Sequence, residues 1–265
     1  MSPERDRAQP GPVEAATYVA FSRTWEAASR ISTVPKPQLQ QRVLDYFRWL
    51  CRRIDPAVVL EIGAHEASFS QWARKALPNA RVQAFEANPH VHAKYVDEVS
   101  AAGVDYRNLA VGPVTGELEL NLPLEIAGQP RALDSHMASL AMHRESGDSV
   151  TVTVPSVRLD DHVELAGDER VVAWIDVEGA NDAVLQSGPD VLDRLDAVHI
   201  EVEGKPTWEG QWLDTDVAHH LASHGLVPVA RDLQKPYQYN VIYVRTRLVH
   251  QPKVMRRAAE ILHHG

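Results

Sequence analysis

The chain alternates short apolar runs with segments in which apolar residues recur every three or four positions. A short apolar run bounded by turn residues predicts a buried strand, and the longer spacing predicts a helix packed on the sheet. From Val58 onwards the two patterns alternate, which indicates an α/β fold with a mostly parallel, twisted sheet. The strands predicted for this sheet are residues 58–62, 81–85, 106–111, 171–177 and 197–202.

The end of the pattern differs from the rest. Residues 226–230 and 240–244 are predicted strands separated by only about ten residues, too few for a helical crossover, so we expect them to pair antiparallel. Residues 118–122 and 150–154 are predicted to be edge strands, because one of them alternates apolar and polar side chains. A parallel sheet that ends in an antiparallel hairpin favours a Rossmann-like methyltransferase sheet over a dehydrogenase sheet.

Helical spacing also occurs before the first strand. Residues 13–32 and 39–54 are predicted helices, separated by the break Pro35-Lys36-Pro37. They are too short to hold a hydrophobic core of their own. The predicted parts of the chain are an N-terminal tail with a helical extension (1–55), the main α/β domain (56–248) and a C-terminal helix or tail (249–265).

Composition narrows the partners. The chain has 265 residues, a net charge of −9 and a pI near 5.8, which disfavours nucleic acid and anionic membrane surfaces. Cys51 is the only cysteine, so an internal disulfide and a cysteine-built zinc site are excluded. No run approaches the roughly 20 apolar residues that cross a bilayer, and residues 1–5 do not form a secretory signal. We expect a cytoplasmic enzyme with a small-molecule substrate, and the sequence leaves open whether it is a homo-oligomer.

The strongest chemical signal lies where the first buried strand ends. The run Val58–Ile62 stops at Gly63, and apolar residues recur with helical spacing from Phe69. A strand, a tight turn and a helix start present backbone N–H groups to a nucleotide-like ligand. Glu86 ends the next apolar run about twenty residues later, where a carboxylate accepts hydrogen bonds from ribose hydroxyls. These features predict an enzyme with a nucleoside cofactor.

The same turn limits which cofactor fits. A dinucleotide fingerprint needs three glycines for close approach of the pyrophosphate, whereas residues 63–68 contain a single glycine. S-adenosylmethionine carries no phosphate and makes no such demand. Two alternatives stay open from the residues alone: a nicotinamide-dependent oxidoreductase, and a non-catalytic binding protein that keeps the cofactor fold.

Six short motifs occur in the order typical of a known family. They are Leu60-Glu61-Ile62-Gly63-Ala64, Phe85-Glu86-Ala87-Asn88-Pro89, Asn108-Leu109-Ala110-Val111-Gly112, Ala138-Ser139-Leu140, Val157-Arg158-Leu159-Asp160-Asp161 and Trp174-Ile175-Asp176-Val177-Glu178-Gly179-Ala180. On these motifs the chain resembles the FkbM family of S-adenosylmethionine-dependent methyltransferases over residues 56–246. The resemblance implies a Rossmann-like class I methyltransferase fold and O-methylation of a small metabolite such as a polyketide or a sugar.

The resemblance also implies roles for single residues. Glu61, Gly63 and Ala64 are expected to hold the amino-acid part of the cofactor, although Glu61 stands where the family usually has aspartate. His65-Glu66-Ala67 replaces an asparagine and a second glycine. Glu86 is expected at the ribose, Asn108 and Ala110 beside the adenine, and Ser139 near the polar end. The full predicted cofactor-binding set is Glu61, Gly63, Ala64, His65, Glu86, Ala87, Asn108, Ala110, Ser139 and Asp176.

Acidic side chains at the ends of two neighbouring strands are the candidates for catalysis. By the two-residue period of a strand, Asp176 and Glu178 share one side of theirs, and His199, Glu201 and Glu203 share one side of the next. Methyl transfer from a sulfonium needs an aligned oxygen nucleophile that loses its proton. We predict Asp176, Glu201 and His199 as catalytic residues, with Asp176 as the first choice.

Carboxylates so close together allow more than one interpretation. A carboxyl group with a raised pKa acts as a general base, or a divalent cation such as Mg²⁺ binds Asp176, Glu178 and Glu201 and lowers the pKa of the substrate hydroxyl. A third interpretation makes Asp176 and Glu178 capping groups for the helix that starts at Asn181.

Overall fold

The computed structural model describes residues 12–32, 34–232, 235 and 237–263, so the predicted tail before Pro12 and the last two residues lie outside it. The helices are α1 (Pro12–Ile31), α2 (Lys36–Ile54), α3 (Ser68–Ala76), α4 (Pro89–Ala101), α5 (Leu159–His162), α6 (Asn181–Gln186), α7 (Pro189–Arg194), α8 (Asp214–Ser223), α9 (Thr246–Val249) and α10 (Pro252–Glu260). The strands are β1 (Val58–Ile62), β2 (Arg81–Phe85), β3 (Asp105–Arg107), β4 (Ala110–Val111), β5 (Gly116–Pro123), β6 (Glu125–Ile126), β7 (Gln129–Pro130), β8 (Ser149–Val157), β9 (Val171–Ile175), β10 (Leu195–Glu203), β11 (Leu226–Arg231) and β12 (Gln238–Arg245).

The main sheet has the strand order β11-β12-β10-β9-β1-β2-β3. The pairs β1–β2, β1–β9, β9–β10 and β2–β3 are parallel. β12 lies between β10 and β11 and is antiparallel to both. The predicted Rossmann-like sheet with its antiparallel hairpin is therefore confirmed. In such a sheet a ligand binds beyond the carboxyl ends of the strands, where the strand order reverses, here at β1 and β9.

Residues 106–111 do not form the single strand that the apolar pattern predicts. β3 ends at Arg107 and pairs with β2, whereas β4 pairs with β8 in another sheet. The chain changes direction at Asn108, whose side-chain amide donates to the carbonyl oxygen of Glu86 at 2.8 Å. A run of apolar residues does not reveal a change of hydrogen-bonding partner within it.

Residues 118–122 and 150–154 are strands, but they are not edge strands of the main sheet. They lie in β5 and β8, which pair antiparallel and form a separate three-stranded sheet with β4. Alternating side chains indicate a half-buried strand pair and carry no information on which sheet the pair joins. The buried side chains of this sheet are Ala110, Leu120, Leu122 and Val154.

Helices cover both faces of the main sheet. α2, α3, α4 and α10 pack on one face, and α5, α6, α7 and α8 pack on the other. The helix predicted over residues 39–54 is α2, and its buried side chains form an apolar stripe: Leu39, Val43, Tyr46, Phe47, Leu50, Cys51 and Ile54. α1 lies against α8 and β11, where the hydroxyls of Tyr18 and Tyr239 are 3.2 Å apart. Among the described helices, none combines the length and apolar character needed to span a membrane.

Candidate functional site

A cavity of about 270 Å³ opens at the carboxyl ends of β1, β2, β9 and β10. Residues from β2 to β4 and from α4 give it an apolar side, formed by Phe85, Val91, Leu109, Ala110 and Val111. The residues after β9, in β10 and at the start of β12 give it a charged side, formed by Asp176, Glu178, Glu201, Lys235 and Gln238. The apolar side suits a flat ligand, and the acids opposite it suit a reaction step in which a proton is moved.

Gly63 forms the turn between β1 and α3. Its φ of 75° lies in the left-handed region, which glycine adopts without steric cost. A Cβ at this position would lie 1.9 Å from the carbonyl oxygen of Asp176. The N–H of Gly63 donates to the carbonyl of Phe85 at 3.0 Å, so the turn is fastened to β2. Only glycine satisfies both the conformation and the close approach to β9.

Glu86 follows β2 and lines the cavity. One carboxylate oxygen accepts the N–H of His65 at 2.8 Å, and the other accepts the N–H of Asn88 at 2.7 Å. Each oxygen can accept a second hydrogen bond, so both keep a lone pair for a ligand. Burial raises the pKa of the Glu86 carboxyl above its ordinary value, and the two N–H donors oppose that rise. This fixed carboxylate fits the predicted role at a ribose, which stays a prediction.

Glu61 does not line this cavity. Its carboxylate accepts the N–H groups of Phe69 at 3.3 Å and Ser70 at 2.7 Å, so it satisfies the first turn of α3. Burial raises the pKa of Glu61 to about 7, and the hydrogen bonds from Ser70 limit the rise. The structure gives Glu61 a positioning role, because it holds the helix that follows the Gly63 turn.

Four further residues of the predicted cofactor-binding set separate into two groups, and two of them, Asn108 and Ala110, were predicted beside the adenine. Ala87 and Ala110 line the cavity, as does His65. Asn108 does not line it, because its amide joins the end of β2 to the turn after β3, donating to the Ala87 carbonyl at 3.1 Å. Asn108 therefore supports the apolar side of the cavity from behind and does not line the cavity itself.

Residues 131–142, between β7 and β8, contribute a wall of the cavity, and we call them the wall segment. Ser139 lies in this wall and its hydroxyl donates to the carbonyl of Glu178, while its predicted place near the polar end of the cofactor stays a prediction. The ring of His136 stacks on that of His65, with the ring centroids 3.9 Å apart. These contacts hold the wall segment to the turn after β1 and to the loop after β9.

The acids at the strand ends form a tight group. Glu178, Glu201 and Glu203 each place a carboxylate oxygen within 4.8 Å of the others. Burial, with the charges of neighbouring carboxylates, raises the pKa of both Glu178 and Glu203 to about 8. Asp176 lines the same cavity outside this group. The predicted cation-binding set was Asp176, Glu178 and Glu201. Among the described residues, the acids that lie closest together are instead Glu178, Glu201 and Glu203, so Glu203 takes the place of Asp176.

His199 lies away from the cavity. Its ring packs against Phe47 and Trp174, with centroid distances of 5.5 Å and 3.6 Å, and the residue is 3% exposed. Burial lowers the pKa of His199 to about 3. An enclosed imidazole that stays neutral neither reaches a substrate nor exchanges a proton near neutral pH. Strand periodicity places His199 on the same side as Glu201, but it does not show that α2 covers this part of the strand.

The alternative role for Asp176 and Glu178 as helix caps is not observed. α6 starts after Ala180 with no side-chain hydrogen bond at its N-cap. Lys235 and Gln238 line the cavity and were not among the predicted site residues. Lys235 lies in the β11–β12 connection and Gln238 is the first residue of β12, and a lysine and a glutamine in a polar stretch carry no sequence signal. The Gln238 amide donates to the Glu201 carboxylate at 2.6 Å.

Two sequence comparisons give a match over most of the chain. The family model described as the methyltransferase FkbM domain matches residues 61–228. The 2-O-methyltransferase NoeI of Sinorhizobium fredii (strain NBRC 101917 / NGR234) is 23% identical over 188 residues, which cover 67% of this chain and 76% of that protein.

Similar solved structures are distant. The precorrin-6y C5,15-methyltransferase of Geobacter metallireducens GS-15 has a TM-score of 0.38 and 16% identity, and the match covers 73% of this chain and 86% of that one. The methyltransferase FkbM of Methylobacillus flagellatus KT has a TM-score of 0.42 and 12% identity, and the match covers 72% of this chain and 44% of that one.

Proposed function

This chain belongs to the FkbM methyltransferase family, and on that premise we propose that it transfers a methyl group from S-adenosylmethionine to a hydroxyl group of a small molecule. The observation that carries the proposal is one cavity lined by Gly63 and Glu86 on one side and by the acids of β9 and β10 on the other. The residues fit the cofactor, because the turn has no room for a Cβ and Glu86 keeps a lone pair on each oxygen. When bound, the cofactor supplies an electrophilic methyl group on a sulfonium.

The acids supply the removal of the proton. An alcohol oxygen becomes a good nucleophile as it loses its proton, so a base must lie within hydrogen-bond reach. Burial, together with the charge of Asp232, raises the pKa of Asp176 above its ordinary value, towards the range in which a carboxylate accepts protons effectively. Burial and the neighbouring Asp176 and Glu178 raise the pKa of Glu201. Asp176 is the proposed general base, and Glu201 is the proposed donor of a hydrogen bond to the acceptor.

The nature of the acceptor rests on two supports. The sequence relative NoeI is named a 2-O-methyltransferase, which favours oxygen as the methylated atom. A cavity of about 270 Å³ lies near the lower end of the range for small-molecule sites. The predicted cation mechanism stays a prediction, with Glu178, Glu201 and Glu203 as the oxygen donors that lie closest together.

The first experiment is calorimetric binding of S-adenosylmethionine and S-adenosylhomocysteine to wild type and to Glu86→Gln. We expect micromolar binding by wild type, and binding about 10–100-fold weaker by the variant, because a hydrogen bond to a charged group is lost. Glu117→Gln is the matched control, since Glu117 is exposed on β5 and does not line the cavity. Wild type that binds NADH and neither of these ligands would favour the nicotinamide oxidoreductase instead.

Turnover separates the enzyme from a non-catalytic binding protein. Wild type with S-adenosylmethionine is screened against hydroxylated sugars and polyketides, with S-adenosylhomocysteine release as the readout. A parallel series with Mg²⁺ or a chelator tests the cation mechanism, which requires activity to fall on chelation. Tight cofactor binding with no turnover on any hydroxylated acceptor would contradict the proposed O-methyl transfer.

A further inference from the structure

A second cavity of about 230 Å³ adjoins the first on the α2 side of the Gly63 turn. The two cavities share four lining residues: Gly63, His65, His136 and Asp176. Beyond them the second cavity is lined by α2, through Leu44 and Arg48, and by the start of α3. It therefore continues the first cavity away from the apolar side and away from Glu86.

Arg48 is the arginine in the lining of this second cavity, and its guanidinium lies over the Trp72 ring without an acidic partner among the described residues. Its Nε is buried without a hydrogen-bond partner. The acids in the same lining are committed elsewhere: Glu61 accepts the N–H of Ser70, and Glu66 interacts with His65 at 2.7 Å. Such an unpaired N–H is uncommon in a native protein, and a guanidinium has five N–H donors in all, so the half-buried Arg48 keeps donors for an acceptor in the cavity that it lines.

We propose that the second cavity binds the amino-acid end of S-adenosylmethionine, with the Arg48 guanidinium paired to the cofactor's carboxylate. The inference rests on the proposed function, because it assigns the part of the cofactor that Glu86 does not hold. A guanidinium matches a carboxylate with two parallel hydrogen bonds, and the pair is stronger where water is excluded.

A purely structural role for Arg48 predicts a different pattern. The Arg48 guanidinium lies 5.3 Å from the ring centroid of Trp72, and that of Arg52, one turn later on α2, lies 5.0 Å from the same ring. Arg52 is exposed and does not line the cavity. If stacking on Trp72 were the function of these arginines, their replacement would have equal consequences. Arg52→Gln is therefore a matched control for Arg48→Gln.

The test compares two ligands that differ only in the amino-acid end. S-adenosylhomocysteine and 5′-methylthioadenosine share the adenosine and the sulfur, but only the first carries an α-amino carboxylate. Affinities are measured by calorimetry for wild type, Arg48→Gln, Arg48→Lys, Arg52→Gln and Glu86→Gln, and each variant's Tm is recorded. We expect Arg48→Gln to weaken S-adenosylhomocysteine binding at least about tenfold and to leave methylthioadenosine binding within about twofold. Arg48→Lys should recover part of the loss, and Arg52→Gln should match wild type.

The outcomes separate this inference from the proposed function. Wild-type affinity for S-adenosylhomocysteine in Arg48→Gln overturns the inference alone, and so does an equal loss of both ligands, which is the result of a distorted turn. Glu86→Gln should weaken both ligands, since it acts on the part that they share. If wild type binds neither ligand, the proposed function fails and the inference fails with it.

Discussion

At the scale of single residues, burial decides what each acid can do. Glu61 and Glu86 are both buried at the ends of neighbouring strands, yet the oxygens of Glu61 serve α3 and those of Glu86 face the cavity. The sequence motifs name both positions without distinguishing these roles. The difference depends on which N–H groups the folded chain brings to each carboxylate, and no local pattern encodes that.

Asp176→Asn tests the proposed base. The amide keeps the shape of the side chain and cannot accept the proton, so we expect kcat to fall about 10²–10⁴-fold while cofactor affinity stays within about tenfold. In wild type, kcat/KM should fall as the pH drops through the raised pKa of Asp176, because protonation removes the base. The control is Glu117→Gln, which lies outside the cavity. Turnover by Asp176→Asn equal to that of this control would remove Asp176 from the mechanism.

At the scale of elements, the carboxyl ends of β9 and β10 bring acidic side chains close enough to repel one another when they are ionised. Glu201 and Glu203 are two residues apart on β10, and Glu178 joins them from the loop that follows the neighbouring parallel strand β9. Parallel pairing of two acidic strand ends was foreseen from the alternation of strands and helices. The exact partners were not, since the register of β9 against β10 shifts at a bulge between Leu195 and Ala197.

Glu203→Gln tests this repulsion through stability. Glu203 has an ordinary pKa of 4.5, which burial raises to about 8 in the folded protein, so the folded state binds its proton more tightly than the unfolded chain does. Stability from this group is therefore present below about pH 4.5 and is lost as the pH rises through about 8. We expect Glu203→Gln to raise Tm at pH 8.5 by roughly 2–4 °C for each kcal/mol relieved.

The readout is the slope of Tm against pH between 5 and 9, compared with Glu119→Gln on the exposed face of β5. Glu203→Gln should flatten the decline relative to wild type. An unchanged slope would show that the pKa of Glu203 is not raised in the folded protein.

At the scale of the whole molecule, the N-terminal helices divide their roles. α2 reaches the second cavity through Arg48, whereas none of the α1 side chains that the structure describes lines either cavity. α1 instead closes the β11 edge: Tyr18 pairs with Tyr239, whose hydroxyl donates to Asp214, and Ser22 accepts a hydrogen bond from Arg231. The sequence pattern predicts both helices. It did not show where they dock, because docking depends on contacts more than 200 residues apart in the chain.

Tyr18→Ala separates support from binding. Tyr18 is 3% exposed and stacks near Tyr243 with centroids 6.5 Å apart. Removing a large buried aromatic side chain costs about 3–5 kcal/mol, so we expect Tm to fall by roughly 6–20 °C. Affinity for S-adenosylhomocysteine at 15 °C should stay within about twofold of wild type. A selective loss of affinity without loss of Tm would show that α1 takes part in the site.

The separate small sheet holds together the two ends of the segment between β5 and β8. β5 and β8 end their pairing where Pro123 faces Ser149, so the ends of residues 124–148 already meet across a hydrogen-bonded ladder. We call residues 124–148 the inserted cassette. A longer or shorter cassette alters the loop-closure entropy only slightly, because that entropy depends weakly on loop length. Because this cassette contains the wall segment, its exchange would replace the wall that both cavities share through His136 and leave the strands of the main sheet in place. Grafting cassettes between relatives offers a protein engineer this exchange.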